Sequence, residues 1–151
     1  MSAVEKSDVK VRPMERKDIF PVLAIFRKMP DSRGALTHRD LISWSLGQQR
    51  DASFVAEIGG QIVGFVLARF TFLGIPVAEV CSVQVMVVDP DYHRQRIGSR
   101  LVDAVVDRCY VEGVSTVRAF LDEKNWQLKT FLENNDFKPS GIIEYVKTVK
   151  V

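Results

Sequence analysis

The sequence predicts an α/β fold: a central mixed β-sheet of about six or seven strands flanked by about four helices. Three observations predict it. Apolar residues switch repeatedly between alternate-residue and helical spacing along the chain. The middle, from Ser53 to Val88, is rich in valine, isoleucine and phenylalanine. After it, helical and strand patterns alternate to the end, which calls for a mixed sheet with helices on its faces.

Val9 to Arg12 alternates and reads as the first strand, ended by Pro13. From Lys17 to Lys28, Ile19, Phe20, Leu23, Ile25 and Phe26 recur at helical spacing. Pro21 falls in the first turn, where a missing N–H is tolerated. A second helix is expected from His38 to about Leu46, with Thr37 as N-cap and Asp40 completing a capping box in place of glutamate. Residues 53–58, the turn Gly59-Gly60 and residues 62–71 read as a hairpin. Residues 72–77, FLGIPV, are expected as a loop leading into a valine-rich strand from Glu79 to Val88.

A helix from Ile97 to Glu112 places Ile97, Leu101, Ala104, Val105 and Cys109 on one face, and Gly113 suits its C-cap. Residues 117–121 read as a strand. Asn125 to Asn134 reads as a helix with Leu128, Phe131 and Leu132 facing inward. Phe137 and residues 142–151 are expected to supply the last strands. No repeat, low-complexity tract or linker interrupts the pattern, so residues 1–151 read as one domain.

Composition bounds the partners. The 151 residues are 46% apolar and 26% charged, ordinary for a soluble globular chain. A formal net charge of +2 gives no global argument for nucleic acid or membrane. Cys81 and Cys109 are the only cysteines. They lie in apolar segments without metal-type spacing and read as small core residues in a reducing compartment. No apolar run reaches the roughly 18 residues of a membrane span, and the first residues do not resemble a signal peptide. The expectation is a cytoplasmic protein with no metal, membrane or nucleic-acid partner.

The chemistry concentrates in residues 87–101, VVDPDYHRQRIGSRL. The backbone N–H groups of Gln95, Arg96, Ile97, Gly98 and Ser99 stand at the start of a helix, where unsatisfied donors and the helix dipole suit phosphate or carboxylate. Ordinary caps would place Asp, Ser or Thr there. This segment adds His93, Arg94, Arg96 and Arg100, cations that a helix N-terminus disfavours unless a polyanion supplies the counter-charge. On charge alone the alternative is a solvated basic turn, screened by salt and helped by Asp89 and Asp91.

From about Val9 to Val149 the chain resembles the GNAT superfamily of acetyl-CoA-dependent N-acetyltransferases. Val88-Asp89-Pro90 and the run His93-Arg94-Gln95-Arg96-Ile97-Gly98-Ser99 occupy the places of the family fingerprint. Asn125, Leu128, Phe131, Leu132 and Phe137 match part of its second motif. The resemblance implies acetyl-CoA as co-substrate. Backbone groups of Met86 and Val88 would bond the pantetheine arm, and the N–H groups from Gln95 to Ser99 would hold the pyrophosphate, with His93 and Arg94 beside them. Asn125 would contact the arm or hold the neighbouring backbone, and it is equally a good helix N-cap. The implied acceptor is an amine of a small molecule or peptide. Related domains often dimerise, so a homodimer is also implied.

Three positions depart from the family pattern. His93 stands for Gln or Arg and can still donate a hydrogen bond. Arg96 replaces the first loop glycine. If φ is positive there, it costs roughly 1–2 kcal/mol, which charge-assisted phosphate contacts can offset. If the backbone is right-handed, the side chain points outward freely. Leu132 stands where many members carry a tyrosine proposed to protonate the leaving thiolate. The groups left for acid–base work are Glu79, Ser82 and Gln84 on the central strand, Asp122 and Glu123 after the next, and Glu144 and Tyr145 near the end. Tyr145 is the best spare phenol and Glu79 the best spare base; the alternative for each is a solvated strand-end residue. Alternation puts Ser82, Gln84, Met86 and Val88 on one face and Glu79 on the other, unless a bulge intervenes.

The expected function is transfer of an acetyl group from acetyl-CoA to a primary amine by direct attack. A strand N–H near Val88 would stabilise the oxyanion, and a base would take the amine proton. Thiolate leaves readily without a proton. The competing reading is a weak or inactive acyl-CoA-binding or regulatory module of the same fold, which Leu132 and Arg96 favour. A nucleic-acid patch at His93–Arg100 lacks interleaved aromatics. The acceptor would be shaped by residues 30–47, 72–76 and 138–142. Ser32, Arg33 and Trp44 are candidates there, although Trp44, at helical spacing with Leu41, reads first as core.

Overall fold

The computed structural model describes residues 8–29, 36–75, 77–93 and 95–151. The elements are, in order, β1 (Val9–Pro13), a 3-10 turn (Arg16–Asp18), α1 (Ile19–Arg27), α2 (His38–Ser43), β2 (Phe54–Ile58), β3 (Gln61–Gly74), β4 (Val77–Val88), a 3-10 turn (Pro90–Tyr92), α3 (Ile97–Glu112), β5 (Val117–Ala119) and α4 (Trp126–Asn134). The chain falls into two compact units, Met1–Phe120 and Leu121–Val151.

In the first unit the sheet order is β1-β2-β3-β4-β5. The first four strands pair antiparallel and β4 pairs β5 parallel, so the sheet is mixed as expected. Five strands are present among the described residues, fewer than the six or seven expected. The difference lies at the chain end: residues 137–151 carry no strand. Alternation gives 142–151 strand propensity, but a strand exists only where a neighbour pairs with it.

Other boundaries differ too, and β5 ends at Ala119 rather than at residue 121. Of the expected loop at 72–77, Phe72 to Gly74 and Val77 are strand instead, because β3 and β4 stay paired out to Gly74↔Val77; residue 76 lies outside the described residues. α2 stops at Ser43, two residues before Ser45 adopts a left-handed φ of 62° that no helix continues through. The capping box is as expected: Asp40 N donates to Thr37 Oγ1 at 3.1 Å, and Thr37 N to Asp40 Oδ2 at 2.9 Å.

Apolar residues divide between the two faces of the sheet. One core joins Ile97, Leu101, Val105 and Cys109 of α3 to Val63, Val66, Phe70 and Cys81 of the strands. The other joins Ile19, Val22, Leu23 and Ile25 of α1 and Leu41 of α2 to Val55, Phe65, Leu67 and Val87. Burial pushes up the Cys81 thiol further after its hydrogen bond with Cys109 has raised it, so the pair behaves as core.

Ion pairs lock the sheet to its helices. Arg12 grips Asp18 through Nη1 and Nη2, each at 2.8 Å, and reaches Glu57 from Nε at 3.3 Å. Burial alone would raise the Asp18 carboxyl; the Arg12 fork and the Glu15 amide reverse this and hold it below its ordinary value.

Candidate functional site

The site begins where β4 ends. Asp89 N donates to Val63 O at 2.8 Å, so N–H and C=O of the preceding residue, Val88, point away from β3. The register Val66↔Met86 and Gly64↔Val88 puts Met86 in the same phase. On that far side β5 pairs only with Cys81–Val83. The backbone of Met86 and Val88 therefore faces an edge that β5 does not cover.

A bulge reaches this edge. Ala68 pairs Val83 while Leu67 pairs Val85, leaving Gln84 as the extra residue. Cys81, Val83, Met86 and Val88 consequently pack on the α3 side, whereas Val85 and Val87 pack with α1 and α2. The simple alternation placing Ser82, Gln84, Met86 and Val88 on one face is corrected by this one residue.

The chain leaves β4 through a braced turn. Asp89 is buried, accepts from Asp91 N at 3.0 Å and from Lys28 Nζ at 2.9 Å. Burial, the largest single influence, would raise its carboxyl, but the hydrogen bonds from Lys28 and the Asp91 amide, with the Lys28 charge, together hold it below the usual range; the Lys28 bond also raises Lys28. His93 follows, exposed, with Nε2 3.0 Å from Val88 O. Arg94 lies outside the described residues, as do Ser32 and Arg33.

Arg96 is the N-cap of α3, at φ 61° and ψ 21°. The loop position does require a left-handed backbone, and a residue with a Cβ occupies it. No side chain caps α3. Its first intrahelical bond runs from Arg100 N to Arg96 O at 3.1 Å, so helix geometry leaves the N–H groups of Arg96, Ile97, Gly98 and Ser99 without intrahelical partners. Arg100 turns away and donates from Nη1 to Val9 O at 2.7 Å.

Gly64 lets α3 come this close. A Cβ there would stand 3.2 Å from Ile97 Cγ2 and 3.2 Å from Val87 O. Sequence reasoning missed this glycine and the Lys28–Asp89 brace. An isolated glycine inside a strand pattern was the available signal for the first; nothing in the sequence marks the second, since 61 residues separate the partners.

The structure thus brings together Met86, Val88, His93, Gln95, Arg96, Ile97, Gly98 and Ser99 at one end of β4. It does not bring Glu79 to them. Glu79 pairs with Phe72 nine residues before Val88, roughly 30 Å along the strand, and its Oε2 lies 3.4 Å from Arg50 Nη2. Trp44 donates from Nε1 to buried Asp51 at 3.2 Å, with Arg69 over its ring. In the second unit, Asn125 caps α4 by accepting from Leu128 N at 3.1 Å, Leu132 is buried, and Tyr145 is exposed. Among the described residues no cluster of three or more His, Cys, Asp or Glu could hold a metal ion, and no helix is long and apolar enough to cross a membrane.

The acetyltransferase (GNAT) family model matches residues 19–135. An uncharacterized N-acetyltransferase of Methanocaldococcus jannaschii is 25% identical over 109 residues, covering 71% of this chain and 48% of that protein. The chain thus spans about half the length of that relative. Among solved structures, the aminoglycoside acetyltransferase AAC(6′)-Iy, in complex with a bisubstrate analogue of CoA, is similar at TM-score 0.80 and 15% identity, over 94% of this chain and 99% of that one. An aminoglycoside acetyltransferase from an uncultured soil sample, in complex with sisomicin, gives 0.77 and 18% over 95% and 98%. Ribosomal-protein-alanine N-acetyltransferase of Brucella melitensis gives 0.74 and 15% over 94% and 99%. At these identities the likeness is one of fold.

Proposed function

The chain belongs to the GNAT acetyltransferase family, and from that premise we propose that it transfers an acetyl group from acetyl-CoA to a primary amine of a small molecule or peptide. The observation that carries this reading is the uncovered edge at Met86 and Val88 running up to the uncapped N-terminus of α3. An amide-bearing chain can add to such an edge as a strand would, and a pyrophosphate suits N–H groups at a helix start.

Acetyl-CoA supplies an activated thioester. The residues of this chain do the rest. Met86 and Val88 align the arm, and the N–H groups from Gln95 to Ser99 receive the pyrophosphate, with Arg94 and Arg96 supplying cations beside it and His93 at the turn before them. An edge N–H of β4 stabilises the oxyanion when the amine attacks. The new N–C bond forms as the C–S bond breaks, the thiolate leaves with its electron pair, and a base takes the amine proton. An arm running back from Val88 along the β4 edge would carry the thioester toward Glu79, which is proposed as the base, with Tyr145 and Asn125 proposed as acid and arm contact.

A second reading, an acyl-CoA-binding module with little turnover, is favoured by Leu132 in place of a phenol and by Arg50 on Glu79. Calorimetry with acetyl-CoA tests what the two share, and absence of heat at millimolar ligand would overturn both. Thiol release over a panel of amines and peptides then separates them. If Glu79 is the base, Glu79→Gln should lose most turnover while binding CoA normally. Sedimentation of the pure protein tests the homodimer.

A further inference from the structure

We propose that His93 is a latch on the pantetheine edge: its imidazole holds the Val88 carbonyl that an acyl-CoA arm needs, and the arm must displace it to bind. The proposal rests on the acyl-CoA reading above and adds a residue that regulates entry.

The geometry comes first. His93 Nε2 is 3.0 Å from Val88 O. A carbonyl oxygen only accepts, so Nε2 carries the proton and donates. The Asp89 N to Val63 O bond turns the Val88 carbonyl away from β3, so the imidazole stands on the side that β5 leaves uncovered. There it takes the place that an amide N–H of an added strand would take.

The latch has a fixed mount and a free ring. Asp89 caps the 3-10 turn of Pro90–Tyr92 through Asp91 N, and Lys28 fixes Asp89. His93 N–H returns to Pro90 O at 3.4 Å, and its backbone is extended at φ −62° and ψ 157°. The residue itself is exposed, so χ1 rotation carries the ring into solvent without disturbing either core. The histidine ring, five residues after Val88, closes on its carbonyl.

A phosphate-gripping histidine makes the opposite demand. Removal of a grip weakens every ligand with that phosphate. Removal of a latch strengthens only ligands with the arm. Calorimetry should therefore compare wild type and His93→Ala with two probes, CoA and adenosine 3′,5′-bisphosphate, which has the 3′-phosphate and the first 5′-phosphate of CoA but no pantetheine. Release of one neutral hydrogen bond is worth about two- to tenfold in affinity. The expected result is CoA bound about two- to tenfold tighter by His93→Ala, with the bisphosphate unchanged. His93→Asn, which keeps a donor on a shorter side chain, should fall between the two.

Unchanged or weaker CoA binding by His93→Ala would overturn the latch, and weaker binding of both probes would assign His93 to the phosphate. If wild type binds neither probe, the acyl-CoA reading fails and the latch with it. If wild type binds both and the variant gains nothing, only the latch fails. Coincident melting curves for the variants and wild type check that the fold is intact.

Discussion

Arg96→Gly separates two roles of one residue. Arg96 caps α3 with φ 61° and ψ 21°, and a residue with a Cβ held there costs roughly 1–2 kcal/mol. Glycine removes that cost but gives the unfolded chain more freedom, about 0.4–1 kcal/mol. The net expectation is a gain of about 1 kcal/mol. With unfolding entropy near 2.1 cal/mol/K per residue, a chain of 151 residues melts about 3 °C higher for that gain. Binding should move the other way. A guanidinium hydrogen-bonded to phosphate is worth roughly 1.5–3 kcal/mol, so its loss should weaken CoA about tenfold or more. Melting followed by circular dichroism reads the first effect and calorimetry with CoA the second. A lower Tm would refute the strain argument, and tighter CoA binding would show that the arginine crowds the phosphate. Arg96→Asn, better tolerated in the left-handed region, should recover part of the stability without the charge.

Other perturbations address the frame. Gly64→Ala should lower stability by about 1–3 kcal/mol, because one of the atoms its Cβ meets at 3.2 Å is the immovable carbonyl of Val87; the shift passed to Ile97 should also weaken CoA, measured by calorimetry. Gly98→Val should abolish CoA binding while leaving a folded protein by circular dichroism, since Gly98 sits on the first turn of α3. Asp18→Asn should cost about 3 kcal/mol at pH 7, the order for breaking a buried pair. Asp18 is held below its ordinary value of 3.8, so its contribution is present above pH 3.8 and fades as pH falls through the folded value. Urea titrations across pH should show the wild-type advantage shrinking in that acid range.

Local signals were legible and non-local ones were not. Ile97 and Gly113 bound α3 as the sequence reads, because periodicity and a left-handed glycine act within one helix. Thr37 and Asp40 likewise find each other within one turn. The bulge at Gln84 escaped, since its place is decided by which residues of β3 face it. The handedness of Arg96 escaped too, as both backbone regions fit the residues on either side. Of the site, the uncapped helix start was readable from residues 95–99. That Val88 turns its carbonyl toward His93 depended on the phase of pairing with Gly64, which only the assembled sheet fixes.

The sheet order carries a consequence for the sequence of folding events. β2-β3 and β3-β4 are hairpins between neighbours in the chain, whereas β5 meets β4 only after α3 has crossed between them. Short closures are entropically cheap and form early; the crossover closes a longer loop. The start of α3, proposed to receive the pyrophosphate, lies inside that crossover, so it takes shape when α3 docks. Substitutions at Phe65 or Leu67 should then slow refolding, while those at Arg96 or Gly98 should chiefly change the unfolding rate. A partly unfolded chain that keeps its hairpins would already have lost the proposed anion site.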